Sequence, residues 1–433
     1  MAKTITLDEA LNLVQDKDHI VSGMAASEGR RFFERLHEVA DRVKSVSVDN
    51  CLPLAPFPFM LDKQYADTFT VNSWFYSPDL RKAFAHGNIT FIPNQLHFAG
   101  VRRMGHKTPD LYVGNATPPD KHGYVSLSLS NVYEKRMIQA AKTVVLEINP
   151  NLPRTLGDME VHESDVDYFV EVDYPAPELP EVPPNEKDEK IGQFIADLIQ
   201  DGDTIQLGIG GIPNAVANAL KDKKDLGVHT EMLTTGFMKL FRAGAITNKK
   251  KTLHKGKMVA AFALGTKELY DFIDDNPSLM LLDGNYVNDP CVIGQNDNQV
   301  SINTTLEIDL TGQCASESLG TKQFSGTGGQ TDTATGAQRA KNGKSFITLY
   351  STANVKNPET GEREPVSKIV PTLKPGAAVS LSRNDVDYVV TEYGAVRLRG
   401  TSVKERVELL ISIAHPDFRD KLREDAKRIG YLK

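Results

Sequence analysis

The segment Val14-Gln-Asp-Lys-Asp-His-Ile-Val-Ser-Gly23 decides the fold, because a second copy, Ile199-Gln-Asp-Gly-Asp-Thr-Ile-Gln-Leu-Gly208, returns later in the chain. Each copy follows a stretch with apolar residues at helical spacing, passes an Asp-x-Asp turn and continues into a short β-rich run that ends in glycine. Helix, strand, glycine and a further helix form the unit of an α/β protein. A chance match is the alternative, but the flanking helices agree in order and spacing. The repeat therefore predicts two related α/β domains with largely parallel open sheets.

The segment between the two copies, residues 173–190, is rich in proline and charged residues. Such a composition does not build the core of a helix or a sheet. We therefore predict a first domain at residues 1–178, a linker at 179–190 and a second domain at 191–433. Five further strands are predicted at residues 43–48, 143–147, 258–263, 345–349 and 388–391.

Length and composition exclude several classes of protein. The 433 residues allow two or three cores of about 100–200 residues each. Lys and Arg number 50 against 57 Asp and Glu, a net charge of −7, so we expect neither a nucleic acid nor a membrane as partner. The charged N-terminal residues do not resemble a signal peptide. The three cysteines are far apart and predict reduced, mostly buried thiols, so we expect a cytoplasmic protein.

One glycine-rich segment, Gln206-Leu-Gly-Ile-Gly-Gly-Ile-Pro213, ends a predicted strand and opens a predicted helix. Its backbone amides could hold a phosphate or a developing anion, and Pro213 suits a first helical turn. A plain tight turn is the alternative. The segment lacks the full G-x-G-x-x-G spacing and the Lys-Ser/Thr pair of a P-loop, which disfavours a nicotinamide or ATP site.

Two acidic residues, Glu231 and Glu392, each lie where a strand is predicted to end, the position at which open α/β sheets present ligands. For Glu231 taken alone, a helix N-terminal cap is the alternative. Asn288 supplies a carboxamide in a turn, and residues 324–332 cluster glycines with small polar residues, which suits either a ligand-binding backbone or a surface loop. The histidines show no metal or triad spacing and no G-x-S-x-G elbow occurs, so no metal is expected.

Five motifs occur in this order: Gly208-Ile-Gly-Gly-Ile-Pro213, His229-Thr-Glu-Met232, Gly320-Thr-Lys-Gln-Phe-Ser-Gly326, Gly328-Gly-Gln-Thr-Asp332 and Val390-Thr-Glu-Tyr-Gly394. Taken together, they closely resemble the acetyl-CoA hydrolase/transferase family, in particular its 4-hydroxybutyrate and butyryl-CoA:acetate CoA-transferases. Pro118-Pro-Asp-Lys-His-Gly123 extends the resemblance to the first domain. It implies a class I CoA-transferase-like fold with the active site in the cleft between the two domains.

The resemblance also implies a mechanism and a set of residues. Glu231 matches the family's covalent carrier of coenzyme A, with Asn288 and the backbone of Gly329 as oxyanion donors and Glu392 as the acid that orients the Asn288 carboxamide. Coenzyme A, the only cofactor implied, would be bound by Gln206, Leu207, Gly208, Ile209, Gly210, Gly211, Gly328 and Lys356. For Lys356 a solvated side chain is the alternative. The partners expected are an acyl-CoA and a small carboxylate.

Three positions depart from the family pattern and make substrate preference a separate hypothesis. Asp289 stands where a histidine is expected, Thr333 where an aromatic residue is expected, and Thr335 where an arginine is expected. Two alternatives to a transferase remain at this stage: a hydrolase, in which water captures the intermediate on Glu231, and a CoA-binding protein without catalysis. A homo-oligomer is expected from the frequency of closed symmetric assemblies.

Overall fold

Both copies of the repeated segment fold in the same way in the computed structural model, which describes residues 2–357 and 360–433. In the first copy, the backbone N–H of Gln15 donates to the Asp18 carboxylate at 2.7 Å. In the second, the N–H of Gln200 donates to Asp203 at 2.9 Å. The residue between the two acids has a positive φ in both copies, and in both its N–H donates to a lysine carbonyl. A capped helix precedes each turn.

The first half, residues 2–178, contains ten strands and six α-helices within its described residues. The strands are β1 (Lys3–Thr4), β2 (His19–Ser22), β3 (Val46–Asn50), β4 (Phe69–Ser73), β5 (Ile89–Phe91), β6 (Leu111–Ala116), β7 (Tyr124–Ser126), β8 (Thr143–Ile148), β9 (Glu160–His162) and β10 (Tyr168–Glu171). The helices are α1 (Leu7–Leu11), α2 (Arg30–Arg35), α3 (Pro58–Leu61), α4 (Pro78–Ala83), α5 (Ala99–His106) and α6 (Glu134–Ala140).

The second half, residues 179–433, carries the remaining elements. Its helices are α7 (Glu186–Leu198), α8 (Gly211–Ala219), α9 (Thr235–Arg242), α10 (Lys267–Ile273), α11 (Gly284–Val287), α12 (Pro290–Ile293), α13 (Gln330–Arg339), α14 (Val403–Ser412) and α15 (Pro416–Arg428). Its strands are β11 (Thr204–Leu207), β12 (Gly227–Val228), β13 (Met232–Leu233), β14 (Met258–Ala260), β15 (Phe262–Ala263), β16 (Leu279–Leu281), β17 (Gln299–Thr304), β18 (Glu307–Asp309), β19 (Cys314–Ala315), β20 (Ser318–Leu319), β21 (Lys322–Gln323), β22 (Lys344–Thr348), β23 (Thr352–Lys356), β24 (Arg363–Ser367), β25 (Ile369–Val370), β26 (Tyr388–Thr391) and β27 (Gly394–Arg397).

The two main sheets share one topology. The first runs in the order β1-β10-β8-β6-β2-β3-β4-β5, with every pair parallel. The second runs β27-β26-β22-β17-β11-β12, parallel except at its β26-β27 edge. A bridge from His229 to Val259 continues the series to β14, which pairs with β16. Five successive strands, β10-β8-β6-β2-β3, thus correspond to β26-β22-β17-β11-β12, which confirms two related, largely parallel α/β units.

One apolar cluster extends through both halves and joins them. It contains Val21 and Leu146 of the first sheet together with Ile205 and Phe346 of the second, and two further clusters are confined to one half each. Burying such contiguous apolar surface is the main favourable term in holding the halves together. The two halves therefore share one apolar core.

Two sequence predictions need correction. The predicted strand at residues 258–263 is interrupted at Ala261, because the N–H groups of Ala261 and Phe262 both donate to the Glu231 carbonyl oxygen and pull the chain out of the β14 pairing. The predicted linker is also too long at its end, since α7 already begins at Glu186. Asn185 and Asp188 form a capping box there, which offsets the loss of backbone partners at the helix start.

Candidate active site

The candidate site lies at the carboxyl ends of the parallel strands in the second half. Glu231 follows β12, and its backbone carbonyl accepts the two N–H groups that separate β14 from β15. The alternative that Glu231 caps a helix is wrong, because α9 begins only at Thr235 and has Thr234 as its N-cap. The carboxylate is therefore free for contacts elsewhere.

Two donors converge on the carboxylate of Glu231. The side-chain Nδ2 of Asn288 donates to Glu231 Oε2 at 2.8 Å. The backbone of Gly329 lies so close that a Cβ built there would stand 1.7 Å from the same oxygen. Burial raises the pKa of Glu231 to about 7, assisted by the charge of Asp332, although the hydrogen bonds from Asn288 and from the Gly329 N–H act in the opposite direction.

Asn288 is held by the short helix α11, which ends one residue before it. The carbonyl of Val287, the last residue of α11, accepts a bond of 2.8 Å from His229 Nε2, so the histidine beside Glu231 in sequence fixes the segment that carries Asn288. Burial lowers the pKa of His229 to about 3, which keeps the imidazole neutral. His229 is thus a neutral structural donor and not a general acid.

The Glu231 carboxylate opens into a cleft of about 170 Å³ that both halves line. Phe75, which follows β4, comes from the first half, and Trp74 and Phe75 pack against Gly326 of the glycine-rich loop. The remaining wall comes from strand ends and loops of the second half: Gln206, Leu207, Gly208, Met232, Asn303, Thr304, Ser316, Ser325, Gly326, Thr327, Gly328, Gly329 and Gln330. The site therefore lies between the halves.

Comparison with known proteins supplies the family. Residues 1–179 match the model of the acetyl-CoA hydrolase/transferase N-terminal domain, and residues 265–426 match that of the C-terminal domain. The chain belongs to the acetyl-CoA hydrolase/transferase family. It is 43% identical over 98% of its length to a succinyl-CoA:cyclohexane-1-carboxylate CoA transferase of Geobacter metallireducens, covering 95% of that protein. It is 40% identical over 98% to a 4-hydroxybutyrate coenzyme A transferase of Clostridium kluyveri, covering 97% of it.

A solved structure agrees with these sequence matches. RipA from Yersinia pestis superimposes with a TM-score of 0.91 at 35% identity, with 99% of this chain and 98% of that chain covered. The resemblance inferred from the motifs is confirmed, and so is the conclusion that the chain is an enzyme of the CoA-transferase type.

In this chain, the glycine-rich segment 206–213 begins in the last two residues of β11 and contributes to two cavities. Gln206, Leu207 and Gly208 line the cleft of Glu231, whereas Ile209 and Gly210 line an adjoining cavity of about 280 Å³. Gly210 has a φ of 108°, which favours glycine, and α8 begins at Gly211 with Pro213 in its first turn, as predicted. Gly211 itself packs on the Asp188 carboxylate and lines neither cavity.

The structure does not place Glu392 as the resemblance implied. Its carboxylate accepts bonds from the N–H and Oγ of Ser351, at 2.8 and 2.9 Å, and pairs with Lys187 at 3.1 Å. The Oδ1 atom of Asn288 has no hydrogen-bond partner within the described residues. Direct orientation of the Asn288 carboxamide by Glu392 is therefore wrong, and Glu392 instead fixes the loop that follows β22.

Lys356 also lies apart from the cleft. It ends β23, in an exposed hairpin with β24, and its side chain is solvent-exposed. Its predicted contact with a phosphate of coenzyme A stays a prediction. Among the residues that the structure describes, no group of three or more His, Cys, Asp or Glu side chains is arranged to hold a metal. Within the same residues, no helix combines the length and apolar character needed to cross a bilayer.

The three departures from the family pattern have distinct structural settings. Asp289 caps α12 by accepting the Cys291 N–H at 2.7 Å. Thr333 is buried on α13, where its hydroxyl accepts a bond of 3.0 Å from Asn303 Nδ2. Thr335 is half-buried one turn from the start of α13. The wall of the cleft near Asn303 is consequently polar.

Sequence reasoning missed the first-half contribution to the site. Phe75 and the segment Leu96–Phe98 reach the second half through contacts between residues more than 200 positions apart. No local spacing or motif in either segment signals such a contact, because it arises only when the two halves dock. Asn303 was missed for a related reason, since its contact with Thr333 joins residues 30 positions apart within the second half.

Proposed function

We propose that this enzyme moves coenzyme A between short-chain acyl groups, of the 4-hydroxybutyrate or butyrate type, and acetate, through a thioester formed on Glu231. The observation that carries the proposal is the single Glu231 oxygen that faces both the Asn288 Nδ2 and the Gly329 backbone within a cleft between the halves. Relatives with this family's two domains bear the names of such transferases.

The first half-reaction transfers the acyl group to the enzyme. A Glu231 oxygen attacks the thioester carbonyl carbon, the carbon–sulfur bond breaks, and the thiolate of coenzyme A leaves with the electron pair. The product is a mixed anhydride of the acyl group and Glu231, whose free energy is similar to that of the thioester consumed. A carboxylate is a weak nucleophile, so positioning and the binding energy of the coenzyme A tail have to lower the barrier.

The thiolate then attacks the side-chain carbonyl carbon of Glu231. The first carboxylate leaves, and a glutamyl-CoA thioester remains, from which acetate takes coenzyme A by the same steps in reverse. During this attack the negative charge develops on the Glu231 carbonyl oxygen. The donors Asn288 Nδ2 and Gly329 N–H already face Oε2, so they are positioned for that charge.

The cavity next to the cleft supports a path for the coenzyme A tail. It is lined by Ile209 and Gly210, which directly follow Gly208 of the cleft in the sequence, together with Thr234 and Leu264. The backbone without side chains at the start of α8 permits close approach of a ligand there. Gln206 to Gly210 and Gly328 accordingly remain the proposed coenzyme A contacts, and Gly211 is proposed from the family resemblance alone.

The size and lining of the cleft support a short, polar acyl group. A cavity of about 150 Å³ holds a ligand as large as benzene, so a cleft of about 170 Å³ suits an acyl group of few carbons. Asn303 and Gln206 line the cleft, and Asn303 Nδ2 lies 3.5 Å from Gln206 Oε1 and also donates to Ser301 and Thr333. We propose that the side-chain oxygen of Asn303, a residue that lines the cleft, accepts a hydrogen bond from a hydroxyl on the acyl chain.

The proposal includes the compartment and the assembly state. All three cysteines are free, Cys51 and Cys314 buried and Cys291 exposed, which is the state expected in a reducing cytoplasm. A homo-oligomer follows from the prevalence of closed symmetric assemblies, and light scattering on the purified protein measures it.

The decisive experiment captures the covalent carrier. The enzyme is mixed with butyryl-CoA without acetate, quenched, and its intact mass and peptides are measured. We expect a coenzyme A adduct on the Glu231 peptide that disappears when acetate is added and does not form in Glu231→Gln. A wild-type enzyme that turns over without any adduct on that peptide contradicts the thioester route. Free thiol released faster than coenzyme A reaches acetate identifies a hydrolase instead.

A further inference from the structure

His97 of the first half contacts both elements that carry the donors to Glu231. Its carbonyl oxygen accepts a bond of 2.7 Å from the Nδ2 of Asn285, which belongs to α11. Asn288 follows directly at the end of that helix. The His97 carbonyl is therefore bonded to α11, the helix that supports Asn288, which is the side-chain donor to Glu231.

The ring and the backbone N–H of His97 hold the second element. His97 Nδ1 lies 2.8 Å from Asp332 Oδ1, and the His97 N–H donates to Asp332 Oδ2 at 3.2 Å. Asp332 is the third residue of α13, which begins directly after Gly329. The preceding residue, Leu96, donates its N–H to the Gly328 carbonyl at 3.1 Å, so the loop and the helix start are fixed together.

We infer that His97 is a positioning residue that sets the distance between the Asn288 carboxamide and the Gly329 N–H, and thereby aligns both donors on one oxygen of Glu231. The inference rests on the proposed role of Glu231. His97 does not line the cleft, so it acts through α11 and α13 and not on the substrate.

Burial makes this contact stiff. His97 is 8% exposed and Asp332 1% exposed, and a hydrogen bond to a charged group in such surroundings is stronger and shorter than one in water. Asp332 is also near enough to Glu231 for its charge to raise the pKa of that carboxyl. Because His97 belongs to the other half of the molecule, the separation of the two donors depends on how the halves are docked.

The test compares His97→Phe, which keeps a planar ring but loses Nδ1, with His97→Asn, whose amide can replace Nδ1. With His97→Phe we expect kcat to fall about 10- to 100-fold, because a displacement near 1 Å can cost a factor of that size. The KM for acyl-CoA should change less than about twofold, since ground-state contacts are intact. His97→Asn should recover most of kcat, because its side-chain N–H can donate to Asp332.

Asp332→Asn and the double variant complete the set. If His97 and Asp332 act through one contact, the double variant loses no more activity than the more impaired single variant. Asp274→Ala is the matched control, because it removes a bond of 2.7 Å from the Arg154 N–H that also joins the halves, and Asp274 lines a different cavity, with no residue of the Glu231 cleft. Its kcat should match that of the wild type. Asn285→Ala removes the contact from the other side if His97→Phe fails to fold.

Two results overturn the inference: His97→Phe lowering Tm with kcat unchanged for the folded enzyme, or His97→Phe raising KM alone. The adduct experiment keeps this outcome separate from the proposed function. A wild-type enzyme without an adduct on Glu231 refutes the carrier, whereas an adduct that forms equally fast in wild type and His97→Phe refutes only the positioning role.

Discussion

The protonation state of Glu231 sets the first limit on activity, because only the carboxylate can attack a thioester. Burial raises its pKa to about 7, so a carboxyl that is fully ionised in water at neutral pH is here only partly ionised. We expect kcat/KM for acyl-CoA to rise with pH through about 7 and to fall tenfold per pH unit well below it. A profile with its midpoint near 4.5 contradicts the burial of this group.

Asn288 has two effects on Glu231 that one substitution separates. Asn288→Ala removes a donor worth a factor of about 100 to 1000 in kcat when it acts on an oxyanion. The same hydrogen bond lowers the pKa of Glu231, so its loss should also shift the pH midpoint upward. Steady-state rates between pH 5 and 9 measure both. Asn12→Ala, at an exposed position, is the control. A fall in kcat for Asn288→Ala with no change in the pH midpoint argues against the hydrogen bond between Asn288 and Glu231.

Gly329, the residue directly before α13, has to be a glycine. A Cβ at Gly329 would overlap Glu231 Oε2, so Gly329→Ala must displace the carboxylate or the start of α13. We expect activity to fall more than about 100-fold, with the circular dichroism spectrum and Tm close to wild type. Gly105→Ala, in α5 with no heavy atom near its new Cβ, should leave activity unchanged. Equal activity in Gly329→Ala means that the carboxylate lies elsewhere.

Elements set by local chemistry are the ones that the sequence predicts. The two Asp-x-Asp turns are formed by neighbours in the chain, and both appear as predicted. The strand at 258–263 is different, because its interruption depends on the distant Glu231 carbonyl. Glu392 fails for the same reason: its partners, Ser351 and Lys187, are brought to it only by the folded sheet.

At the scale of the whole molecule, the two halves use the same sheet edge differently. In the second half the carboxyl edge opens into the cleft of Glu231. In the first half the corresponding region is closed, and Glu28 and Glu147 are buried there at 1% and 0% exposure. The repeated sequence predicts the common topology, but which edge is open depends on how the halves pack, and no segment of either copy encodes it alone.

The buried Glu28 makes stability depend on pH. Desolvation raises its pKa from 4.5 to about 8, so the folded protein binds this proton more tightly than the unfolded chain. Its contribution is fully present below pH 4.5 and is lost as pH rises toward 8, by about 1.4 kcal/mol per pH unit in between. Glu147 shifts in the same direction, to about 7.

Glu28→Gln removes this ionisation while keeping nearly the same shape. We expect the wild-type Tm to fall between pH 6 and 8 by more than that of the variant, and the variant to be the more stable of the two at pH 8, because its neutral amide has no charge to bury. Glu424→Gln, at an exposed position of α15, is the control for loss of one carboxylate. Parallel Tm curves for wild type and Glu28→Gln across that range would show that Glu28 is ionised in the fold, and that the closed edge of the first half admits water.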